Sequence, residues 1–96
     1  MVKQMRVKVG NKFVEAFITN LQTRSLILFK GSKGYIMCGY LNLATARRFK
    51  DAAAKIVGVS TIEEALRAKI HSCTASARSL GIKPGLSVKS TLRFIA

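Results

Sequence analysis

Alternating apolar and polar residues near the start of the chain predict a β-hairpin. Met5, Val7 and Val9 alternate with polar neighbours, which is the two-residue period of a strand with one side in solvent. Gly10-Asn11 follows as a turn pair suited to a positive φ. Residues 12–19 are rich in Phe, Val and Ile and are predicted to form the return strand.

Two short apolar runs predict the centre of the sheet. Leu26-Ile27-Leu28-Phe29 and Tyr35-Ile36-Met37-Cys38 contain no charged residue, as expected for strands that are covered on both sides. Gly31-Ser32-Lys33-Gly34 lies between them and is typical of a turn. The two runs are therefore expected to pair as a central antiparallel hairpin.

The apolar period changes from two to between three and four after residue 41, which predicts a helix. Asn42 has the side chain of an N-cap. The expected apolar stripe consists of Leu43, Ala46, Phe49, Ala53 and Ile56. Gly58 ends this segment, and residues 56–59 are predicted to form a short strand.

Further elements are predicted in the second half of the chain. A capping box, either Ser60 with Glu63 or Thr61 with Glu64, begins a helix that reaches about Ala68. Residues 69–73 are a candidate strand, and residues 74–80 a short helix that ends at Gly81. Ser87 is the expected cap of a last helix, whose apolar stripe is Val88, Leu92 and Ile95.

These elements predict one α+β domain over residues 1–96. We expect a mixed, mainly antiparallel sheet of four to six strands, with three to four helices packed on it. The chain of 96 residues is 49% apolar, which suits a globular protein with a core of its own. So high an apolar content in a short chain also leads us to expect a homodimer that buries part of the surface.

Three separated motifs resemble the YunC-like family, small bacterial and archaeal proteins without an assigned function. They are Gly34-Tyr35-Ile36-Met37-Cys38-Gly39, residues 57–66 (VGVSTIEEAL) and residues 77–87 (ARSLGIKPGLS). The resemblance spans residues 34–96, whereas the first 33 residues match only as generic strands. It implies a compact single-domain α+β protein and no particular chemistry.

The beginning of the chain and its cysteines favour a cytoplasmic protein. Residues 1–8 alternate charged and apolar side chains and have no continuous apolar core, unlike a signal peptide. No stretch approaches the roughly 18 apolar residues of a membrane-spanning helix. Cys38 and Cys73 are too few for a disulfide scaffold.

Charge is the strongest functional signal in the sequence. Seventeen Lys and Arg residues against four Asp and Glu residues give a formal net charge of +13. Such an excess attracts polyanions, and each neutralised phosphate releases counterions. We therefore expect a non-enzymatic binding module for an anionic partner, which is RNA, DNA or a phosphorylated ligand. The expected polyanion-binding residues are Lys3, Arg6, Lys8, Arg47, Arg48 and Lys50.

Aromatic residues limit the expected specificity of that binding. There is no Trp and there are two Tyr residues, so platforms for base stacking are scarce. The five Phe residues lie in apolar contexts and are expected in the core. Weak, sequence-independent binding is therefore favoured over specific recognition.

A thiol site is the alternative hypothesis. Cys38 is expected at the end of a central strand, before Gly39 and a helix that starts near Asn42. Helix N-terminal amides lower the pKa of a thiol, so Cys38 is a candidate catalytic nucleophile, with Tyr35, Gly39 and Asn42 as candidate ligand-binding residues. The competing interpretation is that Cys38 only fills core space.

Other chemistry finds little support in the sequence. His71 and Cys73 lack the spacing of a metal site, so neither a metal nor a cofactor is expected. The Gly31–Gly34 segment matches a Gly-x-x-Gly loop, for which a hairpin turn is the default and a weak anion-binding nest the alternative. The four carboxylates are not paired as catalysis by acid and base requires.

Overall fold

A computed structural model describes residues 2–20, 25–38 and 43–96, and its strands follow one another across a single sheet in chain order. The strands are β1 (Val2–Val9), β2 (Lys12–Asn20), β3 (Ser25–Lys30), β4 (Tyr35–Met37), β5 (Ala53–Lys55) and β6 (Ser72–Cys73). The helices are α1 (Leu43–Arg48), α2 (Ile62–Arg67), α3 (Ala75–Ser79) and α4 (Val88–Ile95). The prediction of an α+β fold, with helices packed on a mixed and mainly antiparallel sheet, is confirmed.

The sheet is antiparallel except at one pair of strands. β1 to β4 form an antiparallel meander, and β5 pairs antiparallel with β6. β4 and β5 run parallel, because the segment between them, which contains α1, crosses over and returns the chain in the same direction. The predicted central hairpin is thus present as β3 and β4.

The two faces of the sheet differ in what covers them. On one face, which we call the covered face, Val14, Ile27, Phe29 and Ile36 have no exposed surface. They form one core cluster with apolar side chains of α2, α3 and α4, among them Ala65, Ala77, Val88, Leu92 and Ile95. The other face carries a smaller cluster, in which Leu43 and Ala46 of α1 pack against Met37 and Ala53.

Several predicted helix starts are present. Thr61 caps α2, since its hydroxyl accepts from the Glu64 amide at 3.1 Å, which selects the second of the two capping boxes. Ser87 caps α4 in the same way through the amide of Ser90. No helix in the described part of the chain is long and apolar enough to span a membrane.

The predicted helix over residues 42–56 is wrong beyond its first turns. α1 ends at Arg48, and Lys50 adopts a positive φ of 59° that no helix continues. Ala53–Lys55 then form β5, so the predicted strand at residues 56–59 is also wrong. Ala53 is buried as predicted, but by the sheet and α1 rather than within a helix stripe. Asn42 lies outside the described residues.

The phenylalanines are less uniformly buried than their apolar contexts predict. Phe29 is fully buried, but Phe13 is 52% exposed and Phe49 is 71% exposed. β3 is likewise covered less evenly than its sequence predicts: Ile27 has no exposed surface, whereas Leu28 on the opposite face is half-buried. Two of the phenylalanine side chains, Phe13 and Phe49, are therefore at the surface.

Candidate nucleic-acid interface

Part of the sheet presents charged and aromatic side chains to solvent. The pairing register places Lys8 opposite Phe13 and Arg6 opposite Glu15, and Glu15 in turn opposite Lys30 of β3. Directly paired residues project on the same side of a sheet. We call this surface the open face; its members are Gln4, Arg6, Lys8, Phe13, Glu15, Phe17, Leu28 and Lys30, of which Gln4, Arg6, Lys8, Phe13 and Lys30 are exposed.

Arg6 and Phe13 form a cation–π pair on the open face. The guanidinium carbon of Arg6 lies 5.7 Å from the centre of the Phe13 ring, within the range of this interaction. About half of the surface of the Phe13 residue is nevertheless exposed to solvent. Phe13 is therefore a supported aromatic group that remains available to a ligand.

An open cavity of about 260 Å³ lies beside the Phe13 ring. Its lining is mixed, with Phe13 as the apolar wall and Glu15, Lys30 and Ser32 as polar groups. The Glu15 carboxylate accepts from the side-chain amide of Gln4 at 2.9 Å, which fixes one carboxylate oxygen. The cavity thus joins a ring face to groups that accept and donate hydrogen bonds.

A second group of cations lies on the same side of the sheet. α1 packs by Leu43 and Ala46 against Met37 and Ala53, and Met37 pairs with Leu28 of the open face. At the end of α1, the exposed Arg47, Arg48 and Lys50 flank the exposed Phe49 in sequence. Across the sheet, Arg6 and Tyr35 are three strand spacings apart, roughly 14 Å. Both basic groups therefore flank one side of the molecule.

Tyr35 lies between these two groups. Its hydroxyl donates to the Asp51 carboxylate at 2.8 Å. Burial, the hydrogen bond and the negative charge of Asp51 together raise the pKa of Tyr35 to about 12. The hydroxyl of Tyr35, a residue predicted to bind a ligand, is thus already engaged in tying the segment after α1 to β4.

The predicted cations are not all on one face. Arg6 and Lys8 share the open face, whereas Lys3 pairs with Ile18 and projects on the other side of β1. Lys3 is therefore not part of the open face, and its predicted role in binding a polyanion stays a prediction. Lys30, which was not among the predicted residues, takes the third cationic position of the open face.

Cys38 lies in the core. It is 3% exposed and belongs to the cluster of the covered face. Its sulfur accepts from the Ile27 amide at 3.4 Å, and its own amide donates to the Ile27 carbonyl at 3.1 Å. These contacts favour the packing interpretation over a nucleophile. Gly39 and Asn42, the other residues of the predicted thiol site, lie outside the described residues.

The Gly31–Gly34 segment is a turn that is occupied by its own contacts. The Gly31 amide donates to the Gly34 carbonyl at 2.9 Å, and the Lys33 amide donates to the Ile95 carbonyl at 2.8 Å. A Cβ atom on Gly31 would overlap that same carbonyl of α4. The glycines therefore allow close approach of α4, and two of the amides that an anion nest needs are in use.

His71 and Cys73 do not form a pair. His71 is exposed and its ring contacts the Ser72 hydroxyl, whereas Cys73 is 5% exposed with its sulfur 3.7 Å from the Ile82 carbonyl. Within residues 2–20, 25–38 and 43–96, no group of three or more His, Cys, Asp or Glu side chains could hold a metal ion.

Phe13, Glu15 and Lys30 are the residues of this surface that sequence reasoning missed. The signal for Phe13 was present: a two-residue loop at Gly10-Asn11 fixes Lys8 opposite Phe13, so the ring shares the side of the cations. Lys30 follows from the next register step. No pattern in the sequence predicts the cavity, because its shape depends on how the turn after β3 approaches β2.

Comparisons with known proteins place the chain in a family. The model of a domain of unknown function, DUF1805, matches residues 37–95. The uncharacterized protein YunC of Bacillus subtilis is 32% identical over 96% of this chain and 95% of its own length. A crystal structure of a protein of unknown function from Thermoplasma acidophilum is 33% identical in sequence and superimposes with a TM-score of 0.94. The match covers 100% of this chain and 94% of the Thermoplasma chain. With the YunC-like motifs, the matched domain and the shared fold in agreement, the chain belongs to the DUF1805 family of YunC-like proteins.

Proposed function

We propose that this protein is a non-enzymatic module that binds nucleic acid through the side of the sheet that carries the open face and α1. The observation that carries the proposal is the grouping of Arg6, Lys8 and Lys30 around the exposed ring of Phe13. Basic grooves with interleaved aromatic rings are the usual means of binding nucleic acid without sequence preference.

The excess of positive charge on the side of the sheet with the open face and α1 supports binding of a polyanion. Four carboxylates in the whole chain can neutralise at most four of its 17 cations. On the open face, the three cations exceed the single carboxylate of Glu15 by two charges, and Arg47, Arg48 and Lys50 add three more beside one Asp51. The two groups together give a positive field that extends over several nucleotides.

Salt dependence is the first test. The assay follows the fluorescence anisotropy of a fluorescein-labelled, single-stranded oligonucleotide of about 12 nucleotides. Binding should weaken as salt rises, and a plot of the logarithm of the association constant against the logarithm of the salt concentration should have a slope of about −0.7 per neutralised phosphate. Absence of binding at low salt, or binding that half-molar salt leaves unchanged, contradicts the proposal.

A charge-matched pair of variants separates a site from a general charge effect. Replacing Arg6, Lys8 and Lys30 by Gln should weaken binding about tenfold or more and reduce the salt slope by about 2. The control replaces three exposed cations beside the helices of the covered face, namely Lys69, Lys83 and Lys89, and removes the same charge. Equal losses in both triple variants would mean that net charge alone attracts the ligand, which overturns the proposed surface.

Two further expectations belong to the proposal. A cytoplasmic location would give the protein access to RNA or DNA. The predicted homodimer would have to use another surface, because two copies of the positively charged open face repel each other. Sedimentation at low and high salt tests the dimer: a monomer at every protein concentration contradicts it.

A further inference from the structure

We propose that the ligand is single-stranded, with one base stacked on Phe13 and turned into the cavity beside Glu15. This inference rests on the proposed function and adds to it the form of the nucleic acid and the position of one nucleotide.

The Phe13 ring has the properties of a stacking platform. One side is supported by the Arg6 guanidinium at 5.7 Å, and about half of the residue's surface remains exposed. A single exposed Phe is common on protein surfaces and by itself indicates nothing. Here the ring also forms a wall of the cavity, so that a flat group stacked on it would be in contact with polar side chains as well.

The lining of the cavity distinguishes a base from a phosphate. Glu15 contributes a carboxylate that offsets the attraction of Lys30 for a phosphate and accepts hydrogen bonds from the N–H groups on the edge of a base. Lys30 and Ser32 add donors, and the outer cations Arg6 and Lys8 lie on the same face. The base therefore belongs inside the cavity and its phosphates outside, against the cations.

The cavity is open and somewhat smaller than the pockets that enclose complete small-molecule ligands. Pockets for complete small-molecule ligands have about 300–1,000 Å³, and this cavity has about 260 Å³. A base that is paired within a duplex cannot present its flat side to a ring without being unstacked first. The site therefore favours single strands, in which unpaired bases are already accessible.

The test compares nucleic acids with and without accessible bases. The probes are a single-stranded oligonucleotide of about 12 nucleotides, the same sequence as a duplex, and inorganic polyphosphate, which has no bases. The native protein should bind the single strand about tenfold more tightly than the duplex at equal salt. Phe13→Leu removes the ring but keeps an apolar side chain, and should weaken single-strand binding about 5- to 100-fold. Binding of duplex and of polyphosphate should change less than twofold.

Phe94→Leu is the matched control. Phe94 also lies beneath an arginine, with the guanidinium carbon of Arg93 at 4.8 Å, but it belongs to α4 and packs against the core of the covered face. This variant should retain its single-strand preference, and circular dichroism checks that both variants are folded. A second variant, Glu15→Gln, keeps a hydrogen-bonding group and should alter which base is preferred while it leaves polyphosphate binding within a few-fold.

The outcomes separate the two proposals. If all three probes bind and Phe13→Leu leaves the single-strand preference intact, or no preference exists, the stacking site is refuted and the proposed function stands. If none of the probes binds, both are refuted. If Phe13→Leu and Phe94→Leu weaken single-strand binding equally, the cause is destabilisation of the fold, and the stacking site is overturned as well.

Discussion

The two faces of the sheet are built from alternate residues of the same strands, yet they have opposite characters. On β2 and β3, Val14, Ala16, Ile27 and Phe29 have no exposed surface and belong to the core cluster that includes the helices. The residues that alternate with them along the strands include Phe13, Glu15 and Lys30, which line the open cavity. Since successive side chains of a strand point to opposite faces, stability and binding can be assigned to interleaved positions that change independently.

Accessibility of cysteine gives the largest expected contrast. Cys38 and Cys73 are 3% and 5% exposed, so alkylation requires the protein to open. Iodoacetamide at neutral pH should modify either thiol at least about a hundredfold more slowly in the native protein than in urea, as followed by mass spectrometry. Rapid modification of Cys38 in the native protein would restore the thiol-site hypothesis.

Substitution of phenylalanines on the two faces gives the next contrast. Phe29→Ala should lower the free energy of unfolding by about 3–5 kcal/mol, because it leaves a cavity in the core. Phe13→Ala should lower it by no more than about 1 kcal/mol, which is the size of an exposed cation–π contact such as the one with Arg6. Urea denaturation measures both, and Phe29→Leu, with a loss of about 1 kcal/mol, keeps the comparison possible if the alanine variant does not fold. Similar losses at both positions would contradict the division between the faces.

Substitutions in the turn after β3 test the close approach of α4 to this turn. In Gly31→Ala, the new Cβ overlaps the Ile95 carbonyl, and α4 has to move. We expect a loss of about 1–3 kcal/mol in the free energy of unfolding. Ser32→Ala, at the exposed neighbouring position, should cost no more than about 0.5 kcal/mol. If the two variants unfold at the same urea concentration, the close approach of α4 is refuted.

A pH dependence from Tyr35 is the smallest expected effect. The phenol ionises near pH 10 in the unfolded chain and near pH 12 in the folded protein. Between these values the unfolded chain has released more protons, so the free energy of unfolding falls as the pH rises. Urea denaturation from pH 9 to pH 11 should show a steeper fall for the native protein than for Tyr35→Phe. Identical slopes would show that burial and Asp51 do not raise the pKa of the phenol in the folded protein.

Local chemistry in the sequence was sufficient to predict much of the fold. The period of two in β1 and the capping hydroxyls of Thr61 and Ser87 each specify an element through its nearest neighbours. The prediction that the helix continues to Ile56 is wrong because a partner distant in the chain, and not the local sequence, determines the structure there. Ala53–Lys55 has no β-branched or aromatic residue, and it becomes a strand because β4 offers a partner edge.

The candidate site was predictable only in part. Arg6 and Lys8 follow from alternation, and the register of the hairpin would have added Phe13. Whether a face is open depends on where the helices pack, and this is determined by contacts between residues far apart in the chain. For the same reason Phe49 was assigned to a helix stripe, although α1 ends one residue before it.

The parallel pairing of β4 with β5 has a consequence for the order of folding. β1 to β4 are joined by short connections, so their contacts close small loops and form at little entropic cost. β5 can pair with β4 only after the crossover that contains α1 is in place, which makes this a later and slower event. Nascent chains would therefore assemble the cation-bearing meander first, and the helices would then close over its other side.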